Sequence, residues 1–69
     1  MITIILNGEN TQIDRNFSVE QLLASMELSG KRIAIEINQQ IISRSDFSSH
    51  FLAEQDKVEI VQAIGGGSL

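Results

Sequence analysis

Apolar and polar positions alternate from the start of the chain. Ile2, Ile4 and Leu6 take every second place, with Thr3, Ile5 and Asn7 between them, and this period of two predicts a strand. Asn7-Gly8 follows, a pair that accepts the backbone of a two-residue hairpin turn and so predicts a reversal. Asn10 to Asp14 is a short, more polar return strand suited to a sheet edge. The period then changes. Val19, Leu22, Leu23 and Met26 follow the i, i+3, i+4, i+7 spacing of one helical stripe. Ser18 and Gln21 form a capping box, and Phe17 and Leu22 are spaced as a hydrophobic staple. Glu20 sits in the first turn, where the helix dipole favours negative charge. Gly30, after Leu28-Ser29, is the predicted stop.

Arg32-Ile33-Ala34-Ile35-Glu36-Ile37 is apolar at nearly every position, as a central strand requires. Asn38-Gln39-Gln40 is a polar turn and Ile41-Ile42 a very short strand. Arg44 to Phe51 is a polar loop with one helical turn, held by two aromatic anchors, Phe47 and Phe51. Glu54-Gln55-Asp56 turns the chain into a last strand, Lys57 to Ala63. The order is strand, strand, helix, strand, short strand, strand, which is an α+β layer pair. A first hairpin, a right-handed crossover through the helix and a closing strand beside the first make a β-grasp, a mixed sheet of four to five strands packed on one helix. Ile4, Leu6, Ile35, Ile37, Val58 and Ile60 are expected to meet Val19, Leu22, Leu23 and Met26 in the core. Ile5, Ala34, Val61 and Ala63 then fall on the opposite, open face.

Composition narrows the chemistry. The chain has 69 residues, enough for one domain, and no cysteine, which excludes disulfides, thiolate metal sites, iron–sulfur clusters and cysteine nucleophiles. The net charge is −4, and the five basic residues form no cluster beyond Lys31-Arg32. That gives nucleic-acid binding little footing and suits a partner with a basic docking surface, although the same charge also serves solubility. No apolar run approaches the ~20 residues that cross a bilayer, so no membrane contact is expected. The first six residues lack a basic region and meet Asn7-Gly8 too soon for a signal peptide, so a cytoplasmic location is expected. His50 is the only histidine, and a lone histidine is more often a surface residue than a ligand or base. Glu54, Asp56 and Glu59 read as solvated charges, and no metal site is expected.

The last strand runs into Gly65-Gly66-Gly67-Ser68-Leu69. Glycine loses the most conformational entropy on ordering and packs no core, so the chain divides into a β-grasp domain, 1–64, and a glycine-rich tail, 65–69. Phosphate cradling is a poor account of the three glycines, because no helix N-terminus follows them. A linker end has the same composition.

Several stretches together resemble the ThiS family, the ubiquitin-like sulfur carriers of thiamin thiazole biosynthesis. They are Asn7-Gly8-Glu9; Ser18-Val19-Glu20-Gln21-Leu22-Leu23; Ala34 to Ile42; Arg44-Ser45; and Asp56 to Val61 ahead of Gly65-Gly66-Gly67. The likeness runs from residue 1 to 67. The family often has tryptophan where Phe47 stands and glycine where Gln55 stands, and its members usually stop at the diglycine, whereas Ser68-Leu69 follow here.

The resemblance implies that an E1-like adenylating enzyme of the ThiF type uses ATP to activate the carboxylate of Gly67, with Gly66 beside it. A cysteine desulfurase or rhodanese-type donor then supplies sulfur to make a thiocarboxylate. A thiazole synthase of the ThiG type takes that sulfur. The chain would be a protein co-substrate, not an enzyme, with no bound cofactor of its own. Ile5, Ala34, Val61, Ala63 and Gly65 are the expected partner-binding residues, because ubiquitin-like proteins use the open face for E1-type partners. Scattered exposed aliphatics are the plainer account of that face. Ser68-Leu69 must be removed, or tolerated, before Gly67 can react. Two alternatives stay open: a carrier like the molybdopterin synthase small subunit, and a non-carrier ubiquitin-like interaction module with an inert tail.

Overall fold

The computed structural model describes residues 1–62. The strands are β1 (Ile2–Leu6), β2 (Glu9–Ile13), β3 (Ile33–Ile37), β4 (Gln40–Ile42) and β5 (Lys57–Gln62), with one helix, α1 (Val19–Ser25), and a 3₁₀ turn at Arg44–Asp46. The sheet order is β2-β1-β5-β3-β4. β1 and β5 run parallel, and the other neighbours are antiparallel. This is the expected β-grasp, with the closing strand inserted between the first and third.

Two tight turns build the outer hairpins. Asn7 and Gly8 both have positive φ, 47° and 85°, and so do Asn38 and Gln39, at 52° and 71°. Two successive positive φ values define the type I′ turn, whose twist matches that of the strands it joins. The second turn therefore ends at Gln39, and Gln40 already pairs with Ile37 in β4.

The N-terminus of α1 is fully capped. Ser18 Oγ accepts from the Gln21 N–H at 3.1 Å, and Gln21 Oε1 accepts from the Ser18 N–H at 2.9 Å. The Val19 and Glu20 N–H groups donate to the carbonyls of His50 and Phe47, both at 2.9 Å. The loop before β5 thus consumes the helix's free donors.

The C-terminus departs from expectation. α1 stops at Ser25, and the residue that closes it is Glu27, with φ of 60°; Gly30 also has positive φ, 79°, but lies three residues further on. The Leu28 N–H donates to Leu23 O at 2.8 Å and the Glu27 N–H to Ala24 O at 3.0 Å, the two bonds of a Schellman closure. The cause is tertiary: the reversal folds Leu28 back onto the core. Met26 becomes the cap residue and is 37% exposed, so it leaves the stripe that its spacing predicts.

The core holds Ile4, Val19, Leu22, Leu23, Ile35, Ile37 and Val58 as expected, with Ile2, Leu6, Ile33, Ile42 and Ile60 packed half-buried around it. Ile13, Phe47 and Leu52 complete it. Of the two predicted aromatic anchors only Phe47 is one. It is buried, with the Arg44 guanidinium over its ring at 5.8 Å, whereas Phe51 is 56% exposed. Phe51 instead pairs by its backbone with Ser18, which leaves its ring outside.

Candidate functional site

β5 is paired on both edges and is the strand that precedes the glycines in the sequence. Its parallel pairing with β1 covers only Ile5 with Lys57 and Leu6 with Val58, while its pairing with β3 continues from Val58 to Gln62. Backbone bonds from Ile5 N–H to Asp56 O and from Asn7 N–H to Val58 O, both 2.8 Å, join β1 to it. Where β1 ends, a side chain takes over: Asn7 Oδ1 accepts from the Ile60 N–H at 2.8 Å.

The start of β5 is fixed from the other hairpin. Asn38 Oδ1 accepts from the Lys57 N–H at 3.0 Å, and the Asn38 amide donates to Asp56 Oδ1 at 2.9 Å. Asp56 Oδ2 accepts from the Ala53 N–H at 2.8 Å. Both turn asparagines therefore brace one strand. Sequence reasoning saw them as turn formers only. The available signal was an asparagine at the same place in both hairpins, each beside the strand that the topology inserts between them.

The turn into β5 is bound to β1. Thr3 O accepts from the Gln55 N–H at 2.7 Å, and Glu54 Oε1 accepts from the Thr3 N–H at 3.0 Å. The Thr3 N–H, and then the Gln55 side chain, hold the Glu54 carboxyl below its usual pKa, since hydrogen bonds to a carboxylate favour its charged form. Gln55 has φ of 70°, so it adopts the conformation that a glycine would take there more easily.

The open face can be read row by row from the register. Val61 of β5 lies opposite Ala34 of β3, and Glu59 lies opposite Glu36, which in turn faces Ile41 of β4. Ile5 lies opposite Lys57. Val61 and Ile41 are 62% and 76% exposed. The structure thus brings Val61 and Ala34 into direct contact range and adds Ile41, which the sequence did not single out. Ile5 is half-buried. It sits one strand over and four residues along from the level of Val61, about 13 Å away, with Lys57 and Glu59 between. Ala63, Gly65, Gly66 and Gly67, and the boundary between residues 64 and 65, lie outside the described residues.

Among the described residues no group of three or more His, Asp or Glu is placed to hold a metal ion. Among them, too, no helix is long and apolar enough to cross a membrane. What the geometry offers is a braced strand and an exposed face beside it.

Comparisons with known proteins agree on one family. The model of the ThiS family matches residues 4–67. The uncharacterized protein ycf40 of Porphyra purpurea is 39% identical over 96% of this chain and 93% of its own length. The sulfur carrier protein ThiS of Bacillus subtilis is 33% identical over 90% of this chain and 96% of its own. A thiazole synthase of Paramagnetospirillum magneticum is 34% identical over 94% of this chain, which spans only 20% of that longer protein. The crystal structure of the thiamine biosynthesis protein ThiS from Geobacter metallireducens superposes with a TM-score of 0.81, at 23% identity, over 96% of this chain and all of that one.

Proposed function

The chain belongs to the ThiS family, and from that membership we propose that it carries sulfur as a thiocarboxylate on Gly67 for thiazole formation. The observation that carries this reading is the family match, which extends through the domain to Gly67 itself. The braced β5 supports it, because a strand pinned from both hairpins gives the glycines a fixed point of departure.

The chemistry explains the residue types. A carboxylate is a poor electrophile, since it is anionic and has no leaving group. In the proposed first step a Gly67 carboxylate oxygen attacks the α-phosphorus of ATP, held by an adenylating enzyme, and pyrophosphate leaves. The acyl-adenylate then has AMP as its leaving group. The outer sulfur of a donor persulfide, from a cysteine desulfurase or rhodanese-type protein, displaces AMP. A thiol then takes the donor sulfur as a disulfide and leaves the thiocarboxylate. The product is a tethered sulfur nucleophile that does not diffuse away. Glycines suit the approach because a side chain would clash with the walls of a narrow channel and restrict the backbone.

The chain's part is to present the terminus, so it acts as a co-substrate, and ATP belongs to its partner. Thiazole synthase is the acceptor this reading favours, since two relatives named thiazole synthase contain a segment resembling this whole domain. Ser68 and Leu69 stand after Gly67, so the reactive form is the chain ended at Gly67.

The test is intact mass after incubation with an adenylating enzyme, ATP and a sulfur donor, using the full chain and the chain ended at Gly67. The expected product is the shorter chain with one oxygen replaced by sulfur. If neither chain changes mass while a known carrier does, the reading fails.

A further inference from the structure

The open face carries a like-charge pair. Glu36 and Glu59 are direct partners across the antiparallel β3–β5 ladder. Side chains so placed lie about 5 Å apart at Cβ, and like charges there destabilise the sheet. Among the described residues the carboxylates that accept hydrogen bonds are Glu20, Glu54 and Asp56; neither member of the pair is one of them. Lys57 shares the face two residues before Glu59, which sets one ammonium beside two carboxylates.

The surroundings are apolar. Val61 and Ala34 form the next row on one side, and Ile41 flanks Glu36 on the other. Ile41 and Val61, 76% and 62% exposed, set apolar area beside the pair. A face meant for a purely apolar partner would bury two carboxylates without compensation, which is costly. One occupant satisfies both halves: a protein surface that presents a guanidinium framed by apolar side chains. A planar guanidinium has five donors and can engage both carboxylates at once. The chain's net charge of −4 favours encounter with such a surface.

We propose that Glu36 and Glu59 together receive an arginine of the adenylating partner and so help to select it. The partner's identity rests on the sulfur-carrier reading above; the arginine contact is an inference from the register and burial of this face. Gly67 lies eight residues beyond Glu59, a length that spans at most about 29 Å when fully extended. Docking at the acidic pair therefore limits where the reacting carboxylate can arrive.

The experiment compares the chain ended at Gly67 with its Glu36→Gln, Glu59→Gln and doubly substituted forms. The readouts are the denaturation midpoint and carrier-dependent ATP–pyrophosphate exchange by the same organism's adenylating enzyme, at low and high salt. The double variant is expected to unfold at the same or a higher midpoint, because a repulsion is gone. Its KM should rise about tenfold at low salt with kcat unchanged, and the difference from the parent should shrink as salt increases. A double variant with the parent's KM and salt dependence overturns the proposal. So does one with a lowered midpoint and lowered kcat, which would make the pair structural. If the parent itself supports no exchange, the carrier reading fails, and the arginine contact with this partner fails with it.

Discussion

The side chain of Asn7 accepts the backbone N–H of Ile60 at 2.8 Å, across a separation of 53 residues. The first hairpin turn thereby closes the edge of β5 that β1 leaves open. Asn7 has two tasks, since its φ of 47° also forms the turn. Asn7→Gly keeps the turn and removes the acceptor, so it should cost about 1 kcal/mol and speed hydrogen exchange at the Ile60 amide. Asn7→Val removes the acceptor and places a β-branched residue at positive φ, and should cost about 2 kcal/mol or more. Urea denaturation with amide exchange separates the two tasks; equal losses in both variants would contradict this division.

Glu27 closes the helix at φ of 60°, a conformation that costs most residues roughly 1–2 kcal/mol. Part of that cost returns as unfolded-state entropy when glycine replaces it. Glu27→Gly should therefore stabilise the domain by about 0.5–1 kcal/mol, seen as a higher urea midpoint at an unchanged m-value. A lower midpoint would show that the glutamate side chain has a role in the turn.

Phe47 and Phe51 look alike in the sequence and differ in the structure: the first is buried at 3% exposure and the second stands outside. Phe47→Ala should cost about 3–5 kcal/mol, which is comparable to all the net stability a core of this size supplies. That variant should be largely unfolded at 37 °C by circular dichroism, whereas Phe51→Ala should keep a cooperative melt.

This pair marks the limit of what the sequence disclosed. The alternation in Ile2–Leu6, the helical spacing of Val19, Leu22 and Leu23, and the Asn7-Gly8 turn are local signals, and all three gave elements that the structure contains. Ile13 is a core residue set in a polar stretch, and Leu52 is one that sits between the exposed Phe51 and Ala53. No period reveals them, because only the closing of the sheet over the helix decides their burial. The same holds for the early helix stop, which Leu28 imposes by returning to the core, and for the second task of Asn7. On the candidate site, alternation placed Val61 and Ala34 on the open face. It could not reveal that Lys57 and Glu59 separate them from Ile5, since that depends on the β1–β5 register.

Glu54 gives the fold an acid-sensitive contact. Its carboxyl is held below the usual value, first by the Thr3 N–H and then by the Gln55 side chain. A pKa lowered by folding means that the unfolded chain takes up the proton more readily. The contribution is therefore present above the unfolded-state value and is lost as pH falls through the folded one. Glu54→Gln should lose stability relative to the parent at neutral pH, and the gap should narrow below about pH 4.5. Denaturation midpoints measured between pH 7 and pH 3 test this, and a gap that does not vary with pH would dismiss it.

Val61 tests whether the exposed face is a docking surface at all. Its side chain is 62% exposed and its direct partner is Ala34, so Val61→Asp removes little packing. The change costs strand propensity, up to about 1 kcal/mol, and adds a third carboxylate beside Glu36 and Glu59. The domain should still melt cooperatively at a modestly lower temperature. If partners dock here, the variant must bury a charge among apolar groups, and its KM in the adenylation reaction should rise about tenfold or more. Val61→Thr keeps the shape with far less polarity and should lie between the two. Unchanged adenylation by Val61→Asp at a normal melting temperature would place the docking surface elsewhere.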